Sequence, residues 1–140
     1  MARFAAFFIA LASVLSVATA SPVPSNETEV LETRAATRTG RGTWFNVGLG
    51  ACGNTDHDSQ PVVAISSSIY GNGGNCNQWL KITNKANGKT AYGRVRDACP
   101  GCGANDIDMS PSLFQKLGSL DTGVLNVQWE YQGKDFKAKF

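Results

Sequence analysis

At 140 residues the chain has room for one domain plus extensions. Only 17% of residues are charged, 15 are glycine, and few windows carry helical periodicity, so the composition points to an all-β domain. Between residues 41 and 130 seven basic residues balance seven acidic ones. That balance excludes a nucleic-acid partner, whose binding rests on phosphate neutralisation, and suits a neutral polymer.

The chain opens on a targeting segment. Arg3 supplies a positive start, residues 4–17 are apolar, and Ala18-Thr19-Ala20 forms a small-residue cleavage site before Ser21. The apolar run is too short for a membrane anchor, and no other stretch is long or apolar enough, so no membrane partner is expected. Residues 1–20 are thus read as a signal peptide and the mature chain as secreted. Residues 21–39, rich in Ser, Thr, Pro, Glu and Ala, read as a disordered leader or propeptide. They hold the N-glycosylation sequon at Asn26.

Secretion decides how the cysteines are read. Cys52, Cys76, Cys99 and Cys102 form an even set in an oxidising compartment, so two disulfides are expected. Three pairings are possible; the preferred one joins Cys52 to Cys76 and Cys99 to Cys102. A zinc site needs more ligands than His57, the one histidine, and two isolated cysteines can add, and a redox C-x-x-C usually opens a helix instead of sitting in a glycine-rich loop. No metal and no cofactor is expected.

The domain is placed at residues 40–132. Residues 42–47 read as a strand with aromatic and β-branched content. A long loop, 48–61, carries Asp56, His57 and Asp58, read as a solvated polar turn. Residues 62–66 are continuously apolar, the pattern of a buried strand. A glycine-rich loop leads to Cys76. Residues 79–83 and 89–96 form a hairpin about Asn87-Gly88. Residues 106–109 alternate as a short strand. Ser110 is expected to cap a helix with Pro111 at its first position and Leu113, Phe114 and Leu117 on one face. Residues 124–131 are the last strand, and 133–140 a loosely ordered tail. Six strands and one short helix in so few residues favour a small closed barrel, because closure removes sheet edges.

The chemistry concentrates in residues 95–110, with Asp97 at a strand end, the Cys99-Pro100-Gly101-Cys102 loop, and Asp106 and Asp108 in the short strand. With these segments in place the chain resembles the loosenins, small secreted fungal relatives of the expansins. The resemblance rests on residues 41–48, Gly50-Ala51-Cys52-Gly53, residues 62–66, Asp97-Ala98-Cys99-Pro100-Gly101-Cys102, residues 106–111 and residues 123–129, in order. It implies an all-β, six-stranded double-psi β-barrel, a monomer, and an open groove for cellulose, chitin or a related β-glucan. Asp108 is then the essential groove acid, with Thr43 and Asp97 beside it and Asn46, Asp106 and Tyr92 as further contacts. Expansins often carry an aromatic residue where this chain has Cys99, so a sugar platform must come from Trp44, Phe45, Trp79 or Tyr92, with Trp44 preferred. The chain ends at Phe140, so the second, carbohydrate-binding domain of full expansins is not expected.

The same resemblance bears on catalysis. Family-45 endoglucanases share the barrel and invert with two carboxyl groups, an acid and a base. The acid maps to Asp108 and the base to Asn46, whose amide takes no proton near neutral pH. Classical hydrolysis is therefore not expected. Two alternatives stay open: a protein-binding barrel acting as a protease inhibitor or effector, and a lytic-transglycosylase-like reaction on peptidoglycan, which needs one acid only.

Overall fold

A computed structural model describes residues 36–140. The stretch read as a signal peptide, most of the stretch read as a leader and Asn26 lie outside the described residues. The elements run β1 (Arg38–Trp44), β2 (Val62–Ser66), α1 (Ser67–Tyr70), β3 (Trp79–Asn84), β4 (Thr90–Cys99), β5 (Ile107–Met109), α2 (Pro111–Gln115), a 3-10 turn (Leu120–Thr122) and β6 (Leu125–Tyr131). The six strands close in the order β1-β5-β2-β4-β3-β6, the small all-β barrel that the strand pattern calls for.

Pairing is mixed. β1 runs parallel to β5, and β2 parallel to β4, while the other four pairings are antiparallel. One face of each strand fills the barrel. Val63, Ile65, Leu80, Ile82, Val95, Ile107, Met109, Val127 and Trp129 are buried there, and Leu113, Phe114 and Leu117 close the core from the α2 region. Burying side chains of this size contributes about 1.5–3 kcal/mol each. β2 is covered on both faces, as its unbroken apolar run requires.

Several local expectations change. β1 starts at Arg38, inside the stretch read as leader, and ends at Trp44 instead of residue 47. Gly40 permits this early start: a Cβ there would lie 2.2 Å from the Asn105 carbonyl oxygen, so only glycine lets the strand pass so close. A second short helix, α1, follows β2, with Ser66 Oγ accepting from the Ser68 N–H. Ser110 does not cap α2 through its side chain. Its hydroxyl donates to the Gln60 carbonyl and accepts from the Val62 N–H, fastening the end of the 48–61 loop. The tail, mostly exposed, sets two rings against the barrel. Phe136 packs on Tyr92 with ring centroids 5.2 Å apart, and Phe140 on Trp79 at 5.6 Å.

Both disulfides form in the preferred pairing, Cys52–Cys76 and Cys99–Cys102. The first joins the 48–61 loop to the glycine-rich loop; the second closes the turn between β4 and β5.

Candidate functional site

A register shift between Val63 and Ala64 organises the site. Val63 pairs with Val95, but Ala64 pairs with Asp97, leaving Arg96 as an extra residue in β4. On its other side Ala64 pairs with Asp108, and Asp108 pairs in turn with Thr43. Thr43, Asp108, Ala64 and Asp97 therefore form one rung across four strands, and paired residues share a face. The buried Ala64 separates the two acids.

Thr43 Oγ1 donates to Asp108 Oδ1 at 3.0 Å. Asp108 is half-buried, and burial pushes its carboxyl above the ordinary carboxylate range. The Thr43 hydroxyl and the Met109 N–H pull the other way, while the negative charge of Asp97 adds to the rise. No arginine or lysine pairs with Asp108 among the described residues: Arg96 is committed to Asp56, and Arg94 Nε donates to the Asn77 carbonyl. The rung borders a cleft of about 290 Å³ lined by Arg41, Thr43, Cys99, Cys102, Asp106 and Asp108. The Cys99–Cys102 staple forms one wall, braced by Ser66 Oγ donating to the Cys102 carbonyl.

The neighbouring acids have other work. Asp97 Oδ1 accepts from the Ala51 and Ala98 N–H groups, each at 2.8 Å, and so pins the 48–61 loop to the end of β4. Gly50 makes the contact possible, since a Cβ there would lie 2.2 Å from the Arg96 carbonyl oxygen. Asp106 is spent on two backbone groups, the Arg41 N–H at 2.8 Å and the Gly103 N–H at 3.1 Å. Asn46 lies past the end of β1, where its amide donates to Asp58 Oδ2 at 2.8 Å while Asp58 Oδ1 accepts from the Val47 N–H. The site thus presents one half-buried acid with a hydroxyl partner. Its geometry can hydrogen-bond a hydroxylated ligand and hold or release one proton.

No protein-family model matches the chain. Among curated proteins it is 37% identical to the papain inhibitor of Streptomyces mobaraensis over 100 residues, covering 66% of this chain and 70% of the inhibitor. The solved Streptomyces papain inhibitor aligns at 34% identity with a TM-score of 0.62, covering 70% of this chain and 96% of that one. An Arthroderma benhamiae homolog of allergen Asp f 7 is 40% identical over 84 residues, 56% of this chain and 28% of its own length. A mutant Clavibacter michiganensis expansin in complex with cellohexaose aligns at 25% identity with a TM-score of 0.64, covering 74% of this chain and 54% of the expansin. The chain belongs to the expansin-like double-psi β-barrel family. It spans only about a quarter of the allergen homolog and about half of the expansin.

Within this expansin-like barrel the rung brings together Thr43, Asp97 and Asp108, with Asp106 at the cleft wall, and leaves three expected contacts elsewhere. Trp44 follows Thr43 in an extended strand and so points to the opposite face, where it packs against the core and donates Nε1 to the Leu120 carbonyl at 3.1 Å. Tyr92 sits opposite Lys81 on the β3–β4 face under Phe136. Asn46 faces Asp58. The half-buried Phe45 is the aromatic residue that strand alternation carries to the side of Thr43, and its N–H extends the ladder to the Met109 carbonyl at 2.9 Å. Counting two residues on from Thr43 identifies Phe45 in the sequence; proximity alone favours Trp44.

In the Asp56-His57-Asp58 segment His57 and Asp58 are exposed, as a solvated turn requires, but Asp56 is not. Asp56 is 5% exposed and is gripped by Arg96 through Nε (2.8 Å) and Nη2 (2.9 Å), and Asp58 clamps residues 46 and 47. A buried carboxylate needs such pairing. The signal available in the sequence was a single arginine, Arg96, displaced from the strand pattern by a bulge that no periodicity reveals.

Proposed function

We propose that the protein is a secreted, non-hydrolytic, monomeric cell-wall protein that binds cellulose, chitin or a related β-glucan in the cleft around Asp108. The observation that carries this reading is the Thr43–Asp108 pair, half-buried and without a basic partner among the described residues, on the border of an open cleft. The likeness to an expansin solved with cellohexaose supports it. Two disulfides fit a secreted chain, since such bonds persist in oxidising compartments.

In this reading Asp108 accepts hydrogen bonds from sugar hydroxyls while Phe45 offers a ring for stacking. Each such bond is worth only about 0.5–1.5 kcal/mol net, as is each bond between packed glucan chains. Exchange of one set for the other can therefore loosen chains without cleaving them. Hydrolysis by inversion has no base at Asn46, because an amide held by Asp58 neither takes a proton nor faces the cleft. Asp97 and Asp106, the remaining acids nearby, are bonded to backbone N–H groups.

The test is retention of the purified protein on insoluble cellulose and chitin, with reducing-sugar release measured in parallel. Retention that Asp108→Asn abolishes, with no sugar release, is the expected result. Sustained release from soluble glucan that the same substitution abolishes would overturn the non-hydrolytic reading.

A second reading, inhibition of a papain-type peptidase, has its own observation. Leu49 is 75% exposed on the 48–61 loop, which the Cys52–Cys76 bond, Asp97, Asp58 and the Asp56–Arg96 pair hold rigidly. The likeness to a papain inhibitor supports it. Papain inhibition lost in Leu49→Asp, with no retention on either polymer, would put this reading first.

A further inference from the structure

A second cleft, of about 220 Å³, shares no lining residue with the first; Asp56, Gln60, Trp79, Arg94, Arg96 and Phe140 line it. Its charges do not cancel. Asp56 and Arg96 neutralise each other through their bidentate pair, and Arg96 Nη1 is further used by Asn77 Oδ1 at 2.6 Å. Arg94 is left over. Its Nε donates to the Asn77 carbonyl at 3.2 Å and its guanidinium lies 6.0 Å from the Trp79 ring centroid, but its two terminal nitrogens have no protein acceptor among the described residues. The Nε bond and the neighbouring Trp79 ring position the guanidinium, and both terminal nitrogens are left unused.

The aromatic side of this cleft is open. Phe140 packs against Trp79 yet stays 78% exposed, and Lys116 Nζ lies 4.8 Å from its ring centroid. The tail that carries Phe140 alternates: Phe136 and Ala138 are partly covered, while Lys134, Lys137 and Lys139 are exposed. Residues 133–140 thus add three lysines against one aspartate beside a barrel that, counting Arg38 in β1, holds one more basic than acidic residue. A stacking ring, an arginine fork with free donors and a basic rim fit a pyranose that bears a carboxylate. The sugar's C–H face suits the aromatic ring, and the planar guanidinium matches a carboxylate with two parallel hydrogen bonds.

We propose that this cleft binds a hexuronate unit of an acidic polysaccharide, independently of the Asp108 cleft. A neutral glucan would leave the Arg94 fork unused.

The test is retention of the full chain on immobilised polygalacturonate, with cellulose as the parallel column and thermal melts to confirm folding. Expected is retention on polygalacturonate that weakens with salt and falls about tenfold in Arg94→Ala, since charge-assisted bidentate bonds are the strong ones. Arg94→Lys keeps the charge without the fork and recovers only part of the loss. Phe140→Ala weakens retention without touching any charge, and it carries the test if Arg94→Ala does not fold. Lys139→Ala costs less than about twofold, as a rim charge does. Cellulose retention is the same in Arg94→Ala and the parent chain, so loss on one column is separable from loss on the other. No preference for polygalacturonate over cellulose would overturn the proposal. So would equal losses in Lys139→Ala and Arg94→Ala, or equal competition by single-stranded DNA, because both signify diffuse charge attraction.

Discussion

Asp56 and Asp108 are two carboxylates on one barrel in opposite circumstances. Asp56 is nearly sealed from solvent and meets the full fork of Arg96. Asp108 is half-exposed, meets one hydroxyl and one backbone N–H, and shares the rung with a second acid, Asp97, on the far side of Ala64. The first arrangement spends its charge on holding a loop; the second leaves charge and lone pairs to an incoming group. Burial alone does not set the two acids apart as sharply as the partner set does.

The largest effect is expected where the paired acid is broken. Asp56→Ala leaves the partly buried Arg96 without its carboxylate and should cost about 3 kcal/mol of stability by denaturant unfolding. A loss below about 1 kcal/mol would mean that water reaches the pair and that the 48–61 loop is not fastened by it. Next is the bond that fastens the same loop. Cys52→Ser/Cys76→Ser opens a loop with a sequence separation of 24 and should cost about 3 kcal/mol. Cys99→Ser/Cys102→Ser opens a loop with a separation of 3 and should cost about half as much, while weakening polymer retention more, because that staple forms a wall of the Asp108 cleft.

The unpaired acid should behave the other way. Its carboxyl titrates above the ordinary value of 3.8 in the folded chain, so the fold favours the protonated form. Asp108 therefore stabilises the protein least once pH has risen past its raised folded value, and that penalty vanishes as pH falls below 3.8. Asp108→Asn should accordingly melt at or above the parent temperature near neutral pH and lose this advantage in acid, in a pH series of thermal melts. A variant that melts well below the parent at neutral pH would make Asp108 a structural residue. The smallest change is Thr43→Val. It removes one hydrogen bond, about 1 kcal/mol, and should move the Asp108 titration further upward when followed by carboxyl NMR shifts. A downward movement would contradict the role assigned to the hydroxyl.

Much of this architecture was legible in the chain itself. The alternation of Val127, Trp129 and Tyr131, the unbroken run 62–66 and the Asn87-Gly88 turn placed most strands, because burial on one face or two writes itself into the period of apolar residues. The closeness of Thr43 and Asp108 was not written in spacing. It depends on parallel pairing between β1 and β5, and only likeness to a known barrel suggested it. Three features escaped for local reasons. Glycines 40 and 42 depress strand propensity although close packing demands them. The bulge at Arg96 breaks the count that would have led to Asp56. The tail's Phe136-x-Ala138-x-Phe140 alternation was there to be read, but its lysines gave it the look of a solvated end.

The rung described above has a kinetic side. Thr43 and Asp108 stand 65 residues apart, and Asp97 holds Ala51 across 46. Such contacts form only after long segments have been brought together, which makes barrels of this kind slow to fold. Hairpin β3–β4 can assemble early from near neighbours, yet it holds only Asp97 of the rung's acids. The proposed binding site therefore comes into being with barrel closure itself, and on this proposal polymer retention during refolding should lag the growth of strand signal. Ligand capture then serves as a clock for the last step of folding.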